Sequence, residues 1–129
     1  MEKVQITITG IQHDIDEEPM VETHIAEYGE KEDEKYAVFT ENGVRTLLRL
    51  SEREVRIIRT PGTTLSFIPG TSCSSVYSTE YGDFDMLVTA SDIVSSYDAG
   101  VLSFRVEYDL TMNGSHISKC EVTIDIRKD

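Results

Sequence analysis

Six side chains in this 129-residue sequence have the type and placement to build a small-molecule site: Arg59, Phe67, Tyr77, Thr79, Tyr81 and Tyr108. Arg59 continues the alternation of Val55 and Ile57, which directs its guanidinium toward the interior or its rim. Arginine is rare there unless it is paired. Tyr77, Thr79 and Tyr81 share one parity, and Tyr108 stands in an apolar row with Phe104 and Val106. Together with Phe67 these residues would give a pocket an apolar floor and a few oriented polar groups. Arg59 would then meet a carbonyl or an anion, and the phenols would supply hydrogen bonds and ring contacts. The same residues also suit a purely structural arrangement, with Arg59 paired to a carboxylate at one end of the fold and the tyrosines capping the core.

Other chemistry is scarce. Gly62, Gly70 and Gly82 form neither a Walker loop nor a dinucleotide loop, and no strand-turn-helix context or nucleophile elbow accompanies them. No cofactor is implied. The acidic stretch Asp14-Ile15-Asp16-Glu17-Glu18 lacks the glycine and ligand spacing of a calcium loop and reads as a solvated turn. His13, His24 and His116 are too dispersed for a metal motif, and each reads as a surface residue near a strand end, although barrel closure can gather distant ligands. Cys120 shares parity with Val122 and Ile124 and reads as a small buried hydrophobe, while Cys73, in a run of serines, reads as more exposed.

The elements that must position these residues are strands. Leu102, Phe104, Val106, Tyr108 and Leu110 alternate with Ser103, Arg105, Glu107 and Asp109; Cys120, Val122, Ile124 and Ile126 alternate with polar neighbours in the same way. Such a period of two places one face in the core and one in water. Val4, Ile6 and Ile8 begin the pattern. Two hairpins follow: Met20 to Tyr28 with Lys35 to Thr40 around an acidic tip, and Arg45 to Leu50 with Glu54 to Arg59 around Ser51-Glu52-Arg53. Thr63 to Ile68, Ser74 to Thr79, and Phe84 to Ser91 or on to Tyr97 complete eight to ten strands. No helical period or internal repeat interrupts them. This predicts a single all-β domain over residues 1–129, an antiparallel up-and-down barrel, in which closure also removes exposed strand edges.

The last hairpin carries a sharper expectation. Asn113-Gly114 favours a two-residue type I′ turn, but an unbroken register from it would set Val106 opposite Glu121. Pairing Val106 with Val122 and Phe104 with Ile124 restores a uniform apolar face. A bulge or a longer loop between Gly114 and Ser118 is therefore expected.

With 24 acidic against 12 basic residues the formal net charge is −12, which opposes binding to nucleic acid or to anionic membranes. Two cysteines give no disulfide framework, and no apolar stretch approaches signal-peptide or membrane-spanning character. A cytoplasmic setting follows as the expectation.

The stretches Thr46-Leu47-Leu48-Arg49-Leu50, Val55-Arg56-Ile57-Ile58-Arg59, Tyr77-Ser78-Thr79-Glu80-Tyr81-Gly82 and Phe104-Arg105-Val106-Glu107-Tyr108-Asp109-Leu110 occur in an order and spacing that resembles the YwiB-like family of uncharacterised bacterial proteins. Tyr36 to Glu41 fits as the third strand. Thr60-Pro61-Gly62 and Glu80 depart from the family's usual pattern, at turns. The resemblance implies a calycin-like, lipocalin-like β-barrel and a bacterial, cytoplasmic setting; it implies no activity.

Three functions stand open at this level. The leading one is a non-enzymatic barrel that binds a small apolar or amphipathic ligand. The second is a protein-interaction module working through its acidic outer surface, and the third is an enzyme whose site is assembled from separate strands. Leu47, Ile58 and Ile68 have outward parity, and an apolar outer face would suit a homodimer.

Overall fold

In a computed structural model, which describes residues 2–13 and 16–128, strands account for nearly the whole chain. They are β1 (Glu2–Gln12), β2 (Asp16–Lys31), β3 (Glu34–Glu41), β4 (Val44–Leu50), β5 (Val55–Thr60), β6 (Thr64–Phe67), β7 (Ser72–Thr79), β8 (Gly82–Asp98), β9 (Val101–Met112) and β10 (Ser115–Lys128). Asp14 and Ile15, part of the acidic stretch read as a turn, lie outside the described residues.

All ten strands join one antiparallel sheet in the order β6-β5-β4-β3-β2-β1-β10-β9-β8-β7. Each strand neighbours the next in sequence, and β1 and β10 pair with each other, so the sheet coils into a nearly closed up-and-down barrel. The remaining seam lies between β6 and the β7–β8 hairpin. One backbone hydrogen bond, from Gly70 N–H to the Ala90 carbonyl at 3.1 Å, bridges it.

Alternation fixes what fills the barrel. Val4, Ile6 and Ile8 of β1 face inward with Ala26 and Tyr28 of β2, Leu48 and Leu50 of β4, Val55 and Ile57 of β5, Phe104 and Val106 of β9, and Val122, Ile124 and Ile126 of β10. Their interleaved neighbours are exposed or half-buried. Phe67 of β6 is wholly buried and meets the Tyr108 ring across the seam, centroids 4.8 Å apart. On the outer face Leu47 pairs with both Val38 and Ile58, forming a half-buried apolar row.

The turns explain the tight succession. Asn42-Gly43, Ala99-Gly100 and Asn113-Gly114 all have positive φ at both central positions, the type I′ geometry that matches strand twist. The last hairpin behaves as its apolar pattern requires. Met112 pairs with Ser115 across the turn, the register shifts between His116 and Ser118, and Val106 then meets Val122 while Phe104 meets Ile124. The bulged residue is Ile117. A second bulge, between Ala90 and Ile93, lets β8 run unbroken to Asp98.

Candidate functional site

The longest departure from regular pairing occurs on β2. It pairs with β1 from Asp16 to Tyr28, but with β3 only from Glu27 to Lys31. Beyond Val38 the backbone ladder between β3 and β2 stops, although the Phe39 and Glu41 side chains of β3 still reach His24. A cleft of about 590 Å³ opens there, lined by Glu22 and His24 of β2, Phe39 and Glu41 of β3, Thr46 of β4 and Arg59 of β5, with Val44 and Pro61 at its edge.

Its polar groups are tied into one chain. Glu22 Oε1 accepts from Arg59 Nη2 at 3.1 Å and lies 3.1 Å from His24 Nε2. His24 Nδ1 lies 2.6 Å from Glu41 Oε2. The other Arg59 terminal nitrogen, Nη1, donates a long 3.4 Å hydrogen bond to the buried Thr46 hydroxyl. The His24 ring stacks on Phe39, centroids 3.9 Å apart and planes 12° from parallel. The cleft thus gathers two carboxylates, one guanidinium and one imidazole. Burial would raise the Glu22 carboxyl, but the Arg59 guanidinium and then the His24 ring outweigh it and hold Glu22 below the usual carboxylate range.

The six residues singled out from the sequence fall into three places. Arg59 lies on the inner parity of β5, half-buried in the cleft. Phe67 and Tyr108 close the seam. Burial, then the Cys120 thiol, raises the Tyr108 phenol well above its ordinary range, so it stays neutral. A separate surface depression of about 390 Å³ beside Tyr108, Cys120 and His13 shares no lining residue with the Arg59 cleft. Tyr77, Thr79 and Tyr81 lie at the tip of the β7–β8 hairpin. Tyr77 does share the inner parity, opposite Phe84, but β8 there has run past its pairing with β9 and Tyr77 is 46% exposed. Tyr81 is not on the strand face with them. β7 ends at Thr79, whose hydroxyl donates to the Gly82 carbonyl at 2.9 Å and accepts from the Tyr81 amide at 3.1 Å; the turn so formed leaves Tyr81 87% exposed. The six do not form one pocket.

His24 also departs from its sequence reading. It sits within β2 on the inner face, its side chain 12% exposed, rather than at a strand end on the surface. His13 and His116 do lie at strand ends and are exposed. Glu22, His24, Glu41 and Thr46 were not apparent as a group. The available signal was the parity that Glu22 and His24 share with buried Ala26 and Tyr28. Cys120 is buried as expected, and Cys73 is half-buried. Among the described residues, no group of three or more histidine, cysteine or acidic side chains could hold a metal ion.

The family model described as "Domain of unknown function (DUF1934)" matches residues 4–124, from the first strand into the last. The chain belongs to the DUF1934 family. The fold of this DUF1934 chain is similar to that of the ywiB protein from Bacillus subtilis, whose crystal structure superposes with a TM-score of 0.75 at 19% identity, over 99% of this chain and 92% of that one. The resemblance in the strand stretches is thereby borne out in both family and fold. No curated protein matches the chain. No helix among the described residues is long and apolar enough to cross a membrane.

Proposed function

We propose that this protein binds a small, uncharged amphipathic molecule in the cleft where β2 parts from β3. The observation that carries the reading is convergence. Four strands, β2 to β5, direct an arginine, a histidine, two carboxylates and a hydroxyl toward one opening beside Phe39, Val44 and Pro61. A few oriented polar groups over an apolar wall are the usual composition of a ligand site. The Arg59–Glu22 ion pair favours a ligand without net charge, because an anion would have to displace Glu22 from Arg59. A carbonyl or hydroxyl oxygen would accept from Arg59 Nη1, a ligand N–H or O–H would donate to Glu41, and an apolar portion would rest against Pro61 and Val44. The barrel centre is occupied by the protein's own side chains, with Ile6, Leu48, Leu50 and Ile126 fully buried. This moves the proposed ligand from the core to the mouth.

Native mass spectrometry of freshly purified protein, compared with its denatured mass, tests the reading. A reproducible added mass that is lost in Arg59→Met supports it. A fragment screen followed by amide chemical shifts gives the second arm, with perturbations expected at Glu22, His24, Phe39, Thr46 and Arg59. No added mass together with no fragment shifting these amides would refute the site.

A further inference from the structure

Where the β2–β3 ladder stops, after the Glu27–Val38 pair, a side chain of β2 takes over the contact between the strands. His24 stacks on Phe39 and has a carboxylate at each ring nitrogen, Glu41 of β3 at Nδ1 and Glu22 of its own strand at Nε2. The charged groups around it are these two and Arg59 of β5, which holds Glu22; β4 contributes the uncharged Thr46, and β1 sets Ile6 opposite. A neutral imidazole has one N–H and one bare nitrogen. It can donate to one carboxylate, and its lone pair then faces the other. Both contacts are hydrogen bonds together only when the three groups share one proton more.

The two contacts are not equally easy to give up. Glu22 lies two residues from His24 on the same face and is pinned by Arg59 at 3.1 Å. Against the raising effect of burial, Arg59 and then His24 hold its carboxyl below the ordinary range, so it stays ionised. A bare nitrogen turned toward it would be repelled, and relief would require breaking the ion pair or the ring stack. Glu41 has a side chain 56% exposed and a backbone beyond the β2 ladder, so it can withdraw into water. The neutral ring therefore keeps its proton on Nε2, toward Glu22, and releases Glu41. We propose that His24 is a pH-sensitive clamp on the mouth of the cleft, which ties the end of β3 to β2 when the extra proton is present and frees Glu41 when it is not. A histidine changes charge between about pH 5 and pH 8, so the clamp loosens as the pH rises. The freed Glu41 is the carboxylate that would accept from a ligand donor, and in this last respect alone the inference rests on the ligand reading.

Ring-nitrogen and amide NMR of the ligand-free protein, titrated from about pH 5 to about pH 8, tests the clamp separately from the ligand, whose own test is the mass and fragment measurement. Both His24 nitrogens should carry protons at the acid end and Nε2 alone at the other. The Glu41, Asn42 and Gly43 amides should shift with the same midpoint. In Glu41→Gln the carboxamide can accept from a protonated Nδ1 or donate to a bare one, so the ring should still titrate while the Asn42 and Gly43 transition is lost. His24→Phe, which keeps a ring on Phe39, should abolish that transition too. Because the Glu41 side chain is largely exposed, Glu41→Gln decides the matter should the phenylalanine variant not fold. The proposal is overturned by a lone proton found on Nδ1, by a ring that keeps one protonation state across the range, by Glu41–Gly43 amides that stay still while the ring titrates, or by a transition that persists in either variant.

Discussion

Replacing Phe67 with alanine tests whether side-chain packing closes the barrel where no continuous ladder does. The ring is fully buried at the end of the sheet, against Tyr108 on β9. A phenylalanine removes about 150–200 Å² from water, which at about 25 cal/mol per Å² is about 4–5 kcal/mol. Truncations of this kind cost about 3–5 kcal/mol once partial collapse of the site is included. For a chain of this length each kcal/mol lowers Tm by about 4 °C, so a fall of about 12–20 °C is expected. Urea unfolding of the wild type, Phe67→Ala, Tyr108→Ala and the double variant measures the cost, and the cycle should show a coupling of about 0.5–1.5 kcal/mol from the ring pair. Amide exchange adds a local readout. The Gly70 N–H, bonded to Ala90 across the seam, should lose protection in Phe67→Ala more than the amides of the β1–β10 ladder do. A cost below about 1.5 kcal/mol, near what a single methyl removal brings, or a uniform loss of protection, would refute the reasoning.

Three further outcomes follow from the same geometry. Ala99 holds a positive φ of 50° at the first central position of its turn, so Ala99→Asn should raise stability in urea by about 0.5–1 kcal/mol, since asparagine tolerates that conformation better. Deleting Ile117 should leave the fold intact, because the pairs His116–Thr111 and Ser118–Leu110 would simply become consecutive; deleting Lys119 forces the apolar row out of register and should be far more damaging in thermal melts. Glu22, whose carboxyl is held below its ordinary range, contributes stability above the unfolded-state value that is lost as the pH falls through the lower folded value. The Tm gap between wild type and Glu22→Gln should therefore narrow from pH 7 to pH 3, and a constant gap would contradict the charge linkage.

Most of the barrel was legible because its information is local. Alternation names the inward residues of β1, β9 and β10, and the conflict between the Asn113-Gly114 turn and the pairing of Val106 located a bulge to within a few residues. Parity also placed Arg59 on the inner side. Parity does not tell how far the barrel extends beneath a strand, however, and Tyr77 has the inner orientation yet is 46% exposed. Tyr81 shows a second limit, since alternation was carried past Thr79 into a turn that Thr79 itself closes. The cleft was less legible because it depends on where two strands separate. Glu22 lies two residues from His24 on β2, but Glu41 reaches the same histidine only through the β2–β3 register carried on from Glu27–Val38, which no short stretch of sequence encodes.

The seam carries a consequence for how the covalent chain relates to the fold. The two edges of the sheet, β6 and β7, are neighbours in sequence, whereas β1 and β10, from opposite ends of the described chain, are zipped together over nine residue pairs. A cut between Pro69 and Gly70 would therefore break no strand pairing at all. It would produce two meanders, β1–β6 and β7–β10, each with its internal ladders complete, that meet along β1 and β10. Such pieces are suited to fragment complementation: expressed separately, they should recognise each other through that ladder and rebuild the barrel, although the chain between them is open.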